Sequence, residues 1–583
     1  MSQQFPCRVA TRMFALCLLG ALPNGSRAQT GALIPDSLIA PRVDEYLGRL
    51  GETGFTGGVL VVHDGRTLIA KSYGLANRAS GIRADQNTVY NIGSITKQFT
   101  AAAILRLEEL GKLKTTDPIS RFFPNAPADK RNVTLHQLLT HTAGFQSDYS
   151  PTDYEPTTRD EYIGRMLASK LRTPPGTAFS YANSGYSMLA AIVEIVTGKA
   201  YEQALTELVL KPAGMTETGY TAPHWAAERI AHGYQNGSDW GTIVERVTGP
   251  GKPYWELRGN GGLGTTLGDF AKWDAALRSN RVLTDSSLKK FMTGYVNEGP
   301  EGRSKYAYGW SVMTSARNTR VVAHNGGNGI YVAEWLRYVD EGVSIFLAST
   351  NSEMKATPAV QVVSRIVFGL PYELPPRAVA ADTASMNGLA GTWRLPSGGR
   401  LVITASSSGL AVEALGQDAW SLTHAGDTAS APRAAALNTK TAEMAAALAK
   451  GDTKLLIANL ADGPPPEEVN GQESQLMESR HQRWGDLKSA DVLGTAPGGG
   501  PFLNTTVRFT FERGSGTNTY SWGPDDKIGD LRAQPYQPMS LVALANSEFG
   551  LTGPAGNTLM KLRREGDRVV VTLVNGTRVS LTR

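Results

Sequence analysis

The sequence predicts an α+β protein: an antiparallel sheet covered by helices, followed by a β-rich, barrel-like region. Three observations predict it. Strand-like runs open and close the chain up to about Leu370, helical runs fill its middle, and short strands punctuated by Gly and Ser turns dominate beyond a Pro/Ala-rich stretch.

The elements follow in order. "GGVLVVHDGRTLIAKSYG" (Gly57–Gly74) is two β-rich runs joined by Asp64-Gly65, a hairpin signal. From Ser94 to Leu110 the spacing predicts a helix, with Phe99, Ala102, Ala103, Leu107 and Leu110 on one face and Gly111 as its stop. "NSGYSMLAAIVEIVTGK" (Asn183–Lys199) predicts a second helix closed by Gly198. "TTLGDFAKWDAALRS" (Thr265–Ser279) predicts a third, capped by Thr266. The β-rich runs "TRVVAHNGG" (Thr319–Gly327) and "GVSIFLAST" (Gly342–Thr350) then suggest that early and late strands meet in one sheet.

Leu370–Thr383, rich in proline and alanine, reads as a linker. Beyond it come the short strands "GTWRL", "GRLVITA" and "GLAVEAL", and Thr558–Arg583 reads as a three-strand meander with turns at Gly566-Asp567 and Asn575-Gly576. These two strand sets resemble halves of one small, lipocalin-like barrel or a sandwich. Between them, the Ala-rich helical run Asn438–Asp452, a proline interruption at Pro464, Pro465 and Pro466, and a hairpin within Thr505–Gly523 suggest an α+β insert spanning 434–535. No fixed-period repeat is visible.

The first 28 residues read as a secretory signal. Arg8 and Arg12 form a basic start, Met13–Leu22 an apolar core, and Ser26-Arg27-Ala28 a small-residue cleavage site. The apolar core is too short to span a bilayer, which takes about 20 residues. Both cysteines, Cys7 and Cys17, fall in this segment, so the exported chain would carry no thiol and no disulfide. Net charge is +5, and losing three arginines with the signal would leave the rest near neutrality. Nothing in that balance calls for nucleic acid or an anionic membrane as a partner. No later run is apolar enough for a membrane span, and the expected location is periplasmic or secreted.

The chemistry centres on "NIGSITKQFT" (Asn91–Thr100), where Ser94 and Lys97 stand three residues apart at a helix start. Residues so spaced share a helix face. The helix N-terminus favours a developing anion, and a lysine whose pKa is depressed can take a serine proton. The pattern is cheap, however. It recurs at Ser286–Lys289 and Ser287–Lys290, and serine is an ordinary helix cap. A reactive pair needs helpers. "FSYANSGYS" supplies Tyr181 and Asn183 where a Pro/Gly loop enters a helix. Similar Tyr-x-Asn triplets at Tyr234–Asn236 and Tyr295–Asn297 lack that setting. "AHNGGNG" supplies His324, Asn325, Gly326 and Gly327 near a strand end, where glycines let a substrate approach and a backbone N–H can face an oxyanion. His136 and His141 read as packing residues. There is no His-Glu-x-x-His and no tight His/Asp cluster, so neither a metal nor another cofactor is expected.

Order and context together make a family recognisable. From about Ile34 to Gly369 the chain resembles the serine β-lactamase and penicillin-binding family, nearest its branch of class C β-lactamases, D-aminopeptidases and esterases. The resemblance extends to "LHQLLTHTAGF" (Leu135–Phe145), "GNGGLGTTLGDFAKW" (Gly259–Trp273) and "YAYGW" (Tyr306–Trp310). It implies a β-lactamase/transpeptidase-like arrangement, with an all-helical subdomain beside the sheet. It also implies Ser94 as acyl-accepting nucleophile, Lys97 and Tyr181 as the proton-handling pair, and Asn183 as holder of a substrate amide. The backbone N–H groups of Ser94 and Gly327 would form the oxyanion hole. Whether Lys97 or Tyr181 takes the first proton stays open, since two such groups titrate together.

His324 departs from the pattern: true β-lactamases of this branch resemble one another in carrying lysine there. Histidine is a weaker cation at neutral pH, which favours an esterase or a peptidase of small peptides over a β-lactamase. The expected protein is therefore an exported serine hydrolase (34–369), a linker (370–383) and a β-rich C-terminal region (384–583). Its partners would be small ester, peptide or β-lactam substrates. A functional class C-like β-lactamase and a non-catalytic sensor of peptides or cell-wall fragments are the alternatives.

Overall fold

The computed structural model describes residues 31–583, apart from 147–155, 236–237, 249–253, 300–301, 352–355, 407–408, 428–431, 462–465, 499–500 and 546. The signal segment expected at 1–28 and Asn236 of one Tyr-x-Asn triplet lie outside the described residues. The chain divides into two units between Tyr372 and Glu373.

One pairing organises the first unit. Strand β1 (Gly57–His63) runs antiparallel to β8 (Val343–Ser349), with Gly57 opposite Ser349 and His63 opposite Val343. The early and late strands do meet. The remaining strands are β2 (Arg66–Tyr73), β3 (Val296–Asn297), β4 (Ser304–Tyr306), β5 (Ser311–Thr314), β6 (Arg320–Gly327) and β7 (Val332–Tyr338), and the sheet order is β2-β1-β8-β7-β6-β5-β4-β3. The β1–β2 turn has Asp64 at φ 47° and Gly65 at φ 78°, the double left-handed pair that matches strand twist.

Every residue of β8 is buried, because helices cover both faces. On β7, Trp335 meets Phe270 of helix α4 (Leu267–Arg278), while its neighbour Glu334 accepts a hydrogen bond from Thr357 of α6 (Ala356–Val367). Adjacent strand residues point to opposite faces, so α4 and α6 lie on opposite sides of the sheet, and α1 (Asp36–Glu52) packs beside α6.

A helical region completes the unit around α2 (Thr96–Glu109) and α3 (Asn183–Thr197). Gly198, at φ 69°, ends α3 as its sequence predicts. Thr266 caps α4 by accepting the Asp269 N–H at 3.2 Å. Phe99 of α2 stacks on Trp273 of α4 with centroids 4.7 Å apart, tying the helical region to the sheet's cover.

In the second unit, eight antiparallel strands form a nearly closed barrel, in the order Gly391–Arg394, Arg400–Ser406, Gly409–Leu415, Met539–Ala543, Phe549–Thr552, Thr558–Glu565, Arg568–Leu573 and Arg578–Leu581. Arg394 and Thr582 exchange backbone hydrogen bonds of 2.7 and 3.2 Å and join last strand to first. Trp393, Leu401, Ile403, Val412, Leu562 and Val571 are buried in its core.

Between the third and fourth barrel strands the chain makes an α+β excursion. Its four-stranded antiparallel sheet (Leu487–Pro497, Leu503–Phe511, Ser515–Trp522, Ile528–Pro535) has its own core of Met444, Leu448, Phe509, Tyr520 and Trp522. Two local readings are corrected here. The Ala-rich helix starts at Ala434 rather than Asn438. The proline run is also not only an interruption: Pro466 belongs to a helix, Pro466–Trp484, while Pro464 and Pro465 lie outside the described residues.

Candidate active site

Ser94 sits one step earlier in local structure than its pattern suggests. It lies in a short 3-10 turn, Gly93–Ile95, that feeds directly into α2. The turn is anchored from two sides. Tyr90-Asn91 pairs with Gly264-Thr265, and the Asn91 side chain accepts the Gly93 N–H at 3.0 Å. On the other side β6 presses close. Gly93 has φ 50°, and a Cβ there would fall 2.2 Å from the Gly327 nitrogen. A Cβ on Gly326 would fall 2.0 Å from the Ile92 carbonyl oxygen and 2.6 Å from the Ser94 nitrogen. Both are far inside contact distance, so only glycine lets the serine turn and the strand end lie together. That proximity brings the Gly327 nitrogen against Gly93 and Gly326 against the Ser94 nitrogen.

Lys97, the second residue of α2 and about one turn on from Ser94, is fully buried. Its Nζ lies 3.0 Å from Ser94 Oγ, 2.7 Å from Asn183 Oδ1 and 2.8 Å from the Asn260 carbonyl oxygen. The last two atoms can only accept. The Asn260 side chain holds its own loop in place, donating to Ser187 Oγ at 2.8 Å and to the Glu256 carbonyl at 2.6 Å. Lys97 Nζ also lies 4.9 Å from the centroid of the Tyr181 ring. Ser94, Lys97, Tyr181 and Asn183, drawn from two distant segments, therefore share one site.

His324 is buried on β6, with Nδ1 2.5 Å from the Asn325 carbonyl and Nε2 2.9 Å from the Tyr306 hydroxyl. A carbonyl cannot donate, so Nδ1 carries the proton and Nε2 accepts from Tyr306. Burial, and then the charge of Lys97, push its pKa down to about 3. The ring is thus neutral at any ordinary pH. Gly326 and Gly327 meet the serine turn, but Asn325 points the other way: strand alternation puts it opposite Glu334, on the α6 side of the sheet. Glu334 is itself wholly buried, and burial raises its pKa to about 8.

Two contributors escaped the sequence reading. The Asn260 carbonyl gave no signal, because a backbone acceptor leaves none beyond the Gly-rich loop around it. His141 was read as packing and does pack, but against the site: its ring centroid is 4.2 Å from that of Tyr181 and 4.6 Å from that of Tyr306. The decoys stay apart. Tyr295 stacks on Tyr308 and meets His136 edge to face, and His136 Nδ1 is 2.7 Å from the Tyr308 hydroxyl. Among the described residues, no group of three or more His, Cys, Asp or Glu is placed to hold a metal ion, and no helix is long and apolar enough to cross a membrane.

A sheet with helices on both faces and a Ser–Lys–Tyr–Asn cluster at one strand end define a class, and the sequence places the chain in it. Residues 36–361 match the model of the beta-lactamase family, and the chain belongs to that family as a hydrolase of the serine β-lactamase and penicillin-binding group. Over 387 residues it is 28% identical to penicillin-binding protein 4* of Bacillus subtilis (strain 168), covering 62% of this chain and 84% of that protein. Over 335 residues it is 26% identical to the D-alanyl-D-alanine-carboxypeptidase/endopeptidase AmpH of Escherichia coli (strain K12), covering 54% and 84%. In structure it resembles an octameric penicillin-binding protein homologue from Pyrococcus abyssi, with a TM-score of 0.52 at 18% identity, over 93% of this chain and 99% of that one. That last likeness is one of fold.

Proposed function

We propose that this protein is an exported serine hydrolase that forms an acyl-enzyme on Ser94 with small esters or (D-)peptide amides. The observation that carries the reading is the position of Lys97 Nζ, buried between Ser94 Oγ and two obligate acceptors. As a neutral amine, Lys97 would spend its two N–H bonds on Asn183 Oδ1 and the Asn260 carbonyl. Its lone pair would then face the Ser94 hydroxyl. Ser94 gives its proton to Nζ as Oγ bonds to the substrate carbonyl carbon. The carbonyl electron pair moves onto oxygen, beside the N–H groups of Ser94 and Gly327. The tetrahedral species collapses, the bond to the leaving group breaks, and that group takes a proton through Tyr181. Water then attacks the acyl carbon, gives its proton to the same pair, and releases the acid as Ser94 is restored.

The neutral state of His324 supports the choice of substrate. A substrate carboxylate would meet no permanent cation at that strand position, which favours uncharged esters over anionic β-lactams. The relatives named for penicillin binding and for carboxypeptidase activity keep the amide reading as the second one. Labelling tests all of this. A fluorophosphonate probe should label the wild type and not Ser94→Ala, and a fluorescent penicillin should label the wild type more slowly. Equal labelling of Ser94→Ala sinks the nucleophile, and faster penicillin labelling replaces the esterase reading with the β-lactamase one. Export is tested separately, by amino-terminal sequencing of protein recovered outside the cytoplasm, which should begin after Ala28.

A further inference from the structure

We propose that His141 is a positioning residue for Tyr181, acting on the reaction through that phenol rather than on substrate. The proposal rests on the role given to Tyr181 above. His141 sits in left-handed backbone at φ 58°, in the loop that follows the short helix Leu135–Leu139. From there its buried ring reaches the Pro/Gly loop that carries Tyr181. Nδ1 accepts the Ala182 N–H at 3.1 Å, and the His141 carbonyl accepts the Ser180 N–H at 2.8 Å. The two residues flanking Tyr181 are therefore tied to one residue forty positions earlier. The His141 ring also contacts the faces or edges of Phe179, Tyr181, Tyr186 and Tyr306. Nε2 has no hydrogen-bond partner among the described residues, so the polar work of the side chain is the bond to Ala182.

That bond demands an acceptor at Nδ1, hence a neutral ring. Burial, first of all, holds the His141 pKa well below its ordinary value. Through Ala182 and the ring contact, the imidazole fixes where the Tyr181 side chain leaves the backbone. A misplacement near 1 Å in such a group costs on the order of 100-fold in rate.

The test is a mutant cycle on phenyl acetate hydrolysis, with thermal melts to show that each variant folds. His141→Phe keeps a ring and loses the acceptor. His141→Asn supplies an acceptor and tolerates left-handed backbone. His141→Phe should lower kcat on the order of 100-fold with little change in KM, and His141→Asn should recover at least about tenfold of that loss. In a Tyr181→Phe background, His141→Phe should cost less than about threefold more, because the group it positions is already gone. Losses that multiply in the double variant, or an Asn variant that folds yet is no better than Phe, overturn the proposal while leaving Tyr181 its role. If Tyr181→Phe alone hydrolyses at the wild-type rate, the role of Tyr181 fails and this inference falls with it.

Discussion

Two stretches of this molecule carry the same Ser-x-x-Lys pattern at the start of a helix, and only one has the makings of a reactive pair. At α5 (Asp285–Phe291), Thr284 caps the helix by accepting the Ser287 N–H. Ser286 and Lys289 are exposed. Lys290 points to Glu108 at 2.7 Å and to the Thr115 hydroxyl. Lys290 there is held by a carboxylate and a hydroxyl and stays partly exposed. At Ser94 the helix start is similar, but a strand end and a glycine loop close over it. Burial removes water from Lys97, and two amide oxygens fix its Nζ beside the serine. Spacing and helix dipole are common to both places. What differs is the cover, and it comes from residues far away in sequence.

The comparison can be broken or sharpened by substitution. The largest effect belongs to Ser94→Ala, which should abolish turnover and fluorophosphonate labelling, whereas Ser287→Ala should leave both at the wild-type level. Residual covalent labelling at Ser287 in the Ser94→Ala protein would erase the distinction. Next, Lys97→Met should lower kcat about 100- to 10,000-fold, the range of a positioned base, measured on a small ester. A loss under tenfold would return Lys97 to the status of Lys290. Third, Gly326→Ala forces a methyl against Ile92 and Ser94. It should cost on the order of 100-fold in kcat and about 1–3 kcal/mol of stability by overpacking, read from ester kinetics and urea denaturation. Wild-type rates would show that strand and serine turn need not touch.

The fourth test uses pH. His324 is depressed in the folded state to about 3, below the ordinary 6.5. Its stabilising effect is full above pH 6.5 and is lost as pH falls from there toward 3, at up to about 1.4 kcal/mol per pH unit. Between pH 7 and 4.5 the urea midpoint of His324→Gln should fall less than that of the wild type. Parallel falls would mean the ring is not held neutral. The smallest effect is Lys290→Met, which breaks a partly exposed ion pair and should change stability by about 1 kcal/mol or less, with kcat unchanged.

Local order was legible in the sequence wherever one residue sets the geometry. Asp64-Gly65 gave the hairpin, Gly198 the end of α3 and Thr266 the cap of α4, because a left-handed turn or a side-chain cap depends on the residue itself. The grouping of Ser94, Lys97, Tyr181 and Asn183 was legible through pattern and order. The Asn260 carbonyl was not, since any residue carries one, and its place depends on where a whole loop folds. His141 packs as its sequence suggests, but which rings it packs against depends on the fold, and those rings are Tyr181 and Tyr306. The helix that includes Pro466 was hidden because a run of prolines reads as a stop to helix formation.

The seam between Arg394 and Thr582 has a consequence in time. During synthesis the barrel's opening strand leaves the ribosome first and waits for its partner until nearly the whole second unit has followed. For that interval its backbone donors and acceptors form an open edge, which other chains can use as a template. Closure depends on a contact between distant segments, whose loop entropy slows folding. A nascent chain of this kind has most need of a chaperone until the strand Arg578–Leu581 has emerged, and shortening that strand would prolong the need.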